Sequence, residues 1–184
     1  TRVIAEGEVL QLTKVRDAST TEATYMEVIR GKTAMLFEAS THSAAVLAQA
    51  PAEHIEALRT YGDNLGIAFQ LVDDLLDYRG DAETLGKNVG DDLAEGKPTL
   101  PLIVTMRDGT PEQAALVRKA IQKGGIEDLA QISAAVEACG ALDYTAKLAQ
   151  EYANRAIACL DAIPASEYRN AMIELAQFAV ARTQ

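Results

Sequence analysis

The sequence predicts an all-α protein. Nowhere in its 184 residues do apolar and polar residues alternate with the period of two that a half-buried strand requires. Apolar residues recur instead at the three- and four-residue spacing of amphipathic helices, in segments separated by proline, glycine or polar breaks. Aromatic residues make up only 5% of the chain and tryptophan is absent, which favours helices that pack closely through small side chains. We expect residues 1–184 to form one domain, long enough to bury a substantial core.

The order of the helices follows from these breaks. The first helix is predicted over residues 2–16, and a polar break at residues 17–21 follows it. Thr21 is a suitable N-cap for a long second helix that continues to about residue 48. Pro51 closes that segment and suits the first turn of a third helix, residues 52–78. The remaining predicted helices are shorter, and they cover residues 99–106, 110–124, 126–138, 142–160 and 166–180.

A long polar segment follows the third helix. Residues 80–96 contain four glycines and five acidic residues, a composition that predicts a mobile loop. A loop of this length in a compact domain is more often functional than idle. Its Asp91 and Asp92 are therefore candidates for a supporting role at a metal ion.

Charge and composition exclude several classes of function. The formal net charge is -10, and no cluster of lysine and arginine is long enough to bind a nucleic-acid backbone. No apolar run has the length of a membrane span, and no signal-peptide pattern opens the chain. Cys139 and Cys159 are too few for a disulfide scaffold and are interpreted as small core residues. These features predict a cytoplasmic protein, and a start inside an apparent helix indicates a fragment.

Three carboxylates lie in an otherwise apolar stretch near the end of the third helix. Asp73, Asp74 and Asp77 share one helix face with Gln70, because positions i, i+3, i+4 and i+7 stack. The helix dipole and mutual repulsion both disfavour negative charges there, which indicates a bound cation. Oxygen ligands suit Mg²⁺ better than Zn²⁺, and Mg²⁺ held by few carboxylates completes its shell with water and substrate phosphates. Phosphate chemistry is the first hypothesis, and an acidic, solvated helix end is the alternative.

Lysines at three separate places could serve the same site. Lys32 follows a glycine inside the second helix, where glycine costs about 1 kcal/mol relative to alanine. A neighbouring helix or a substrate is therefore expected to approach closely there. Lys87 and Lys97 belong to the glycine-bearing loop and its end, so the loop can close over a metal-bound diphosphate. The alternatives are ordinary surface or loop lysines and, for Gln70, a polar residue that fills a gap between helices.

With these residues in hand, the chain resembles the trans-type isoprenyl diphosphate synthases, most closely their long-chain, octaprenyl-forming members. The resemblance runs over nearly the whole chain and is specific through the order and spacing of four segments. These segments are Gly31-Lys32-Thr33-Ala34, FQLVDDLLD at residues 69–77, Leu85-Gly86-Lys87 and Gly96-Lys97-Pro98-Thr99-Leu100-Pro101. The family implies an isoprenoid-synthase-type helical bundle around a deep central cavity.

The resemblance also implies an activity and its residues. Family members are prenyltransferases that join isopentenyl diphosphate to an allylic diphosphate repeatedly, which gives a long-chain polyprenyl diphosphate such as a quinone side-chain precursor. Two aspartate-rich motifs hold Mg²⁺, and Asp73, Asp74 and Asp77 resemble the second. A homodimer is implied for the full-length protein. The residues implied to act on the allylic diphosphate, and therefore expected to form both the catalytic and the binding set, are Lys32, Thr33, Gln70, Lys87 and Lys97.

The chain departs from the family at its N-terminal side. The first aspartate-rich motif, which lies on an earlier helix in the family, has no counterpart before Asp73. The sequence therefore resembles the C-terminal half to three-fifths of a family member, with an incomplete bundle. Two alternatives to a synthase remain: a non-catalytic subunit or fragment of a heteromeric prenyl synthase, and a terpene cyclase. Cyclases usually lack the Gly-Lys-Pro-Thr segment found at residues 96–99.

Overall fold

The computed structural model describes residues 1–79, 90–124 and 127–181, and all regular secondary structure within these ranges is helical. The prediction of an all-α chain is confirmed. In chain order the α-helices of the described ranges are α1 (Arg2–Lys14), α2 (Glu22–Ile29), α3 (Met35–Leu47), α4 (Ala52–Arg79), α5 (Asp91–Ala94), α6 (Leu100–Asp108), α7 (Pro111–Lys123), α8 (Leu129–Ala138), α9 (Ala141–Cys159) and α10 (Glu167–Ala181). A π turn (Arg30–Ala34) joins α2 to α3, and a short 3₁₀ turn (Leu160–Ala162) follows α9.

The helix ends agree with the local signals in the sequence. Thr21 caps α2, and its side chain accepts a hydrogen bond from the backbone N–H of Thr24 at 3.2 Å. Thr110 caps α7 in a reciprocal arrangement with Gln113, because each side chain satisfies the other residue's backbone N–H. The first helix ends at Lys14 rather than at residue 16, since the chain turns so that the Arg16 N–H can donate to the carbonyl oxygen of Gly96.

The predicted second helix is continuous but contains the π turn, which the sequence did not reveal. A Cβ atom added to Gly7 of α1 would lie 2.5 Å from the backbone nitrogen of Lys32 and 2.6 Å from the carbonyl carbon of Gly31. A Cβ atom on Gly31 would lie 3.2 Å from the Cα atom of Gly7. Two glycines therefore let the backbones of α1 and the π turn touch. This contact explains the glycine inside the helix, as the sequence predicted.

Helix α4 is the central element, about 42 Å long at the usual rise per residue. It packs most extensively against α3 and α9. The approach of α3 again depends on glycine, because a Cβ atom on Gly62 would lie 2.6 Å from the carbonyl oxygen of Phe37 and 2.7 Å from the Cα atom of Glu38. Leu71 and Leu75 of α4 are fully buried in the larger core cluster. That cluster fixes the position of the acidic end of α4.

A second, smaller core lies around Tyr61 and Leu160, where α4, α9 and α10 meet. The two cysteines are half-buried, Cys139 against the larger cluster and Cys159 against the smaller one. Among the described residues, no helix combines the length and the apolar character that crossing a lipid bilayer would need. The predicted loop over residues 80–96 is described only from residue 90, where it contains α5.

Candidate diphosphate and cation site

A cavity of about 250 Å³ opens between α1, α2, the π turn and the acidic end of α4. Residues 97–99, which precede α6, close one side. The volume is at the small end for a ligand pocket, so it suits a compact charged group rather than a long hydrocarbon. The charged and amide side chains that the sequence predicted and that line this cavity are Lys32, Gln70, Asp73, Asp74 and Lys97.

The other predicted residues lie at different places. Thr33 does not line the cavity but donates a hydrogen bond from Oγ1 to Gln70 Oε1 at 2.7 Å. Asp77 also does not line it, because its carboxylate accepts hydrogen bonds from the backbone N–H groups of Asp91 and Asp92 at the start of α5. Lys87 lies outside the described residues. The three aspartates, which were predicted to share one helix face, thus have different surroundings. Asp73 and Asp74 line the cavity, whereas Asp77 binds the start of α5.

A chain of hydrogen bonds holds the Asp74 carboxylate. Asp74 is only 3% exposed, and its Oδ2 accepts a hydrogen bond from the Tyr25 hydroxyl at 2.6 Å. Its Oδ1 accepts a hydrogen bond from Gln70 Nε2 at 2.8 Å. The amide of Gln70 can therefore point only one way, with its nitrogen toward Asp74 and its oxygen toward the Thr33 hydroxyl. The network joins α2, the π turn and α4.

Burial raises the pKa of Asp74 to about 7, and the negative charges of Asp92 and Asp73 add to this effect. The hydrogen bonds from Tyr25 and Gln70 act in the opposite direction. Burial likewise raises the pKa of Asp77 to about 6, with Asp92 contributing. Negative charge is therefore costly at this end of α4, and a bound cation would remove that cost.

The two described lysines of the predicted set are held by neighbouring oxygen atoms. Lys32 Nζ donates to Gln11 Oε1 at 2.6 Å, and it lies 3.6 Å from Glu8 Oε2. Lys97 Nζ lies 3.1 Å from Asp92 Oδ1 and 2.8 Å from Glu95 Oε2. Burial acts to lower the pKa of Lys97, but the hydrogen bonds and charges of Glu95 and Asp92 raise it overall. Both side chains thus lie beside oxygen acceptors at the wall of the cavity.

Sequence reasoning missed several residues that line the cavity, among them Gln11, Lys14 and Tyr25. Gln11 lies one turn after Gly7 on α1, so the glycine contact with the π turn brings it to Lys32. Tyr25 was not among the residues predicted for the site. Its position seven residues before Lys32, on the same helix face, was the available signal. Asp92, which the sequence offered as a supporting residue, does line the cavity.

The donor atoms fit a magnesium ion that shares its ligands with a substrate. Within the described ranges, no three histidine, cysteine, aspartate or glutamate side chains converge closely enough to hold a metal ion by themselves. Asp73, Asp74 and Asp92 nevertheless supply carboxylate oxygens around one cavity. Mg²⁺ usually takes one or two carboxylates and completes its shell with water and phosphate oxygens, which matches this arrangement.

Comparison with known proteins extends this picture. The model of the family described as polyprenyl synthetase matches residues 1–139. The chain is 54% identical to octaprenyl diphosphate synthase of Escherichia coli (strain K12) over 181 residues, which is 98% of this chain and 56% of that protein. It is 50% identical to an all-trans-nonaprenyl-diphosphate synthase of Rhodobacter capsulatus, covering 98% of this chain and 55% of that protein. The chain thus spans little more than half the length of these relatives.

A solved structure agrees with the fold. The crystal structure of a polyprenyl synthase from Caulobacter crescentus CB15, complexed with calcium and isoprenyl diphosphate, matches with a TM-score of 0.93 and 48% identity. The match covers 100% of this chain and 56% of that one. A decaprenyl diphosphate synthase from Rhodobacter capsulatus matches with a TM-score of 0.92 and 42% identity, over 100% of this chain and 57% of that one.

Proposed function

The chain belongs to the polyprenyl synthetase family, and from this premise we propose that it forms the diphosphate-binding part of a prenyltransferase. The proposed enzyme joins isopentenyl diphosphate to an allylic diphosphate. The observation that supports this most directly is one cavity in which Lys32 and Lys97 face Asp73 and Asp74. Cations that contact phosphate oxygens and carboxylates that hold a metal are the two requirements for binding a metal-diphosphate.

The lysines bind the diphosphate of the allylic substrate. When the substrate binds, Lys32 replaces its hydrogen bond to Gln11 with one to a phosphate oxygen. Lys97 likewise replaces its contacts with Asp92 and Glu95 by a contact with a phosphate oxygen. Lys87 belongs to the proposed set through its position in the sequence. The Thr33–Gln70 pair lies beside the cavity and orients polar atoms at its wall.

The balance of charge in the cavity favours a divalent cation. Three lysines and three aspartates line the cavity, so their formal charges cancel and leave no excess positive charge for a diphosphate. Mg²⁺ is the proposed cation, held by Asp73 and Asp74 directly or through water, with Asp77 as the third predicted ligand. When bound, Mg²⁺ neutralises the negative charge that grows on the departing diphosphate. The lysines keep the released anion in place.

The proposed reaction forms one carbon–carbon bond. The bond between the allylic carbon and its diphosphate oxygen breaks, and the diphosphate leaves with the bonding electrons. The double bond of isopentenyl diphosphate attacks the electron-poor carbon. Loss of a proton to the released diphosphate then restores a double bond, and the product is an allylic diphosphate longer by one isoprene unit.

Further features of the proposal rest on the relatives. The octaprenyl and nonaprenyl names of proteins 54% and 50% identical support a long-chain product. The Caulobacter crescentus complex with calcium and isoprenyl diphosphate supports a divalent metal and a prenyl diphosphate ligand. We propose that residues 1–184 form one domain, that the longer protein is a homodimer, and that it acts in the cytoplasm.

The test is incorporation of labelled isopentenyl diphosphate onto farnesyl diphosphate, with and without Mg²⁺. Elongation that requires Mg²⁺ and is lost in Lys97→Ala supports the proposal, and Lys147→Ala, an exposed lysine on α9, is the matched control. Absence of elongation together with Mg²⁺-dependent substrate binding would favour the non-catalytic subunit instead. Absence of both would refute a role in prenyl diphosphate chemistry.

A further inference from the structure

The Tyr25 hydroxyl lies beside Asp74 but has no role in the reaction proposed above. Tyr25 is 4% exposed, lies in the larger core cluster, and reaches from α2 across to α4. Its Oη atom lies 2.6 Å from Asp74 Oδ2, which is the length of a strong charge-assisted hydrogen bond. A tyrosine needed only for packing would be served equally well by phenylalanine.

We propose that Tyr25 is a positioning residue for the cation and diphosphate site, an inference that rests on the function proposed above. Its hydroxyl fixes the rotation of the Asp74 carboxylate, so that Oδ1 faces Gln70 Nε2 at 2.8 Å. The orientation of Gln70 in turn fixes the Thr33 hydroxyl, which donates to Gln70 Oε1 at 2.7 Å. Thr33 directly follows Lys32 in the π turn.

This network fixes the position of the carboxylates relative to the lysine of the site. The carboxylates lie on α4 and the lysine lies on the π turn, and these elements are far apart in sequence. Without the hydroxyl, Asp74 would keep, among the described residues, the hydrogen bond from Gln70 alone and could rotate about its side-chain bond. Asp74, Gln70 and the π turn would then occupy a range of positions, and a ligand would have to order them on binding.

The main experiment compares Tyr25→Phe with the unmodified chain by calorimetric titration of inorganic pyrophosphate in the presence of Mg²⁺. We expect the dissociation constant to rise about tenfold, as the loss of one hydrogen bond to a charged group implies. The matched control is Tyr61→Phe. The Tyr61 hydroxyl is also held, donating to the carbonyl oxygen of Met172 at 2.8 Å, but it belongs to the smaller core cluster. Tyr61→Phe should leave the dissociation constant within twofold of that of the unmodified chain.

A second readout does not depend on ligand binding. In nuclear magnetic resonance spectra of the unmodified chain, the side-chain amide protons of Gln70 should exchange slowly with solvent, whereas those of exposed Gln49 should exchange fast. In Tyr25→Phe the Gln70 signals should broaden or shift while the Gln49 signals remain. A purely structural role would lower the melting temperature without this local effect.

The outcomes separate the inference from the proposed function. If the unmodified chain binds pyrophosphate and Tyr25→Phe binds it equally well, the positioning role is wrong while the proposed function stands. Fast exchange of the Gln70 amide in the unmodified chain would also overturn the inference. If the unmodified chain binds no pyrophosphate with Mg²⁺, the proposed function fails and the inference fails with it.

Discussion

Substitution of Gly7 by alanine tests the contact that places Lys32. Helix propensity alone predicts that alanine stabilises α1 by about 1 kcal/mol, because glycine is the poorer helix former. The structure predicts the opposite sign. The added Cβ atom would lie 2.5 Å from the Lys32 backbone nitrogen, about 0.9 Å closer than the shortest ordinary van der Waals contact of 3.4 Å. All three atoms that it meets, which include the carbonyl carbon and the Cα atom of Gly31, belong to the backbone and cannot rotate away.

The magnitude follows from these two opposing effects. Overpacking by one methyl group costs about 1–3 kcal/mol, and the upper part of that range, about 2–3 kcal/mol, applies here because the contacted atoms belong to the backbone. The gain in helix propensity of about 1 kcal/mol is subtracted from this cost. We therefore expect Gly7→Ala to lower the free energy of unfolding by about 1–2 kcal/mol. Displacement of α1 should also break the 2.6 Å hydrogen bond from Lys32 to Gln11.

The assay is urea unfolding followed by circular dichroism, with Ala5→Gly as the control. Ala5 lies on the exposed side of the same helix, so its substitution measures the propensity effect without any clash. A result in which Gly7→Ala is as stable as the unmodified chain, or more stable by the amount that Ala5→Gly loses, would refute the backbone contact between α1 and the π turn.

Three further predictions concern the site and the core. The folded-state pKa of Asp74, about 7, lies above its usual value of 3.8, and that of Asp77 is raised in the same sense. Such groups take up protons more readily when folded, so the free energy of unfolding should fall as pH rises from about 4 to 7, with at most about 4 kcal/mol from Asp74. Thermal melts across this range check the slope, which Asp74→Asn should reduce and excess Mg²⁺ should flatten. Lys32→Ala should weaken Mg²⁺-dependent pyrophosphate binding at least tenfold in calorimetry while its melting temperature changes little, because its contacts are half-exposed. Leu71→Ala should lower the free energy of unfolding in urea by about 2–5 kcal/mol, because this side chain is fully buried in the larger core.

Each of these three predictions has a contradicting result. A slope between pH 4 and 7 that is the same in Asp74→Asn as in the unmodified metal-free chain would mean that Asp74 is not held in a buried, acidic setting. Equal pyrophosphate binding by Lys32→Ala and the control Lys147→Ala would remove Lys32 from the site. A loss below about 1 kcal/mol for Leu71→Ala would place α4 away from the centre of the core.

Local signals in the sequence were sufficient for the longer helices, but the short helix α5 lies in a segment that was predicted to be a loop. The ends of α4 and α7 agree with the prediction within about one residue, because Pro51, Thr110 and Gly124 act within one turn of the chain. The π turn was not predictable in this way. It coincides with the contact between Gly7 and Gly31, which are far apart in sequence, and periodicity within one helix carries no information on such a contact.

The site was predicted in its residue types more than in its geometry. The helical spacing placed Asp73, Asp74 and Asp77 on one face, but it could not show that the start of α5 would lie against Asp77. The metal role of Asp77 therefore stays a prediction. Tyr25 was not among the residues predicted for the site, and only the packing of α2 on α4 reveals its hydroxyl as a donor to Asp74.

The most direct test of the central claim is calorimetric titration of the chain with a farnesyl diphosphate analogue whose sulfur linkage resists cleavage. The account predicts saturable binding that requires Mg²⁺, is lost in Asp73→Asn and Lys32→Ala, and is retained in Lys147→Ala. Binding that is indifferent to Mg²⁺ and to Asp73→Asn, or no binding at all, would contradict the claim that this cavity holds a metal-bound allylic diphosphate.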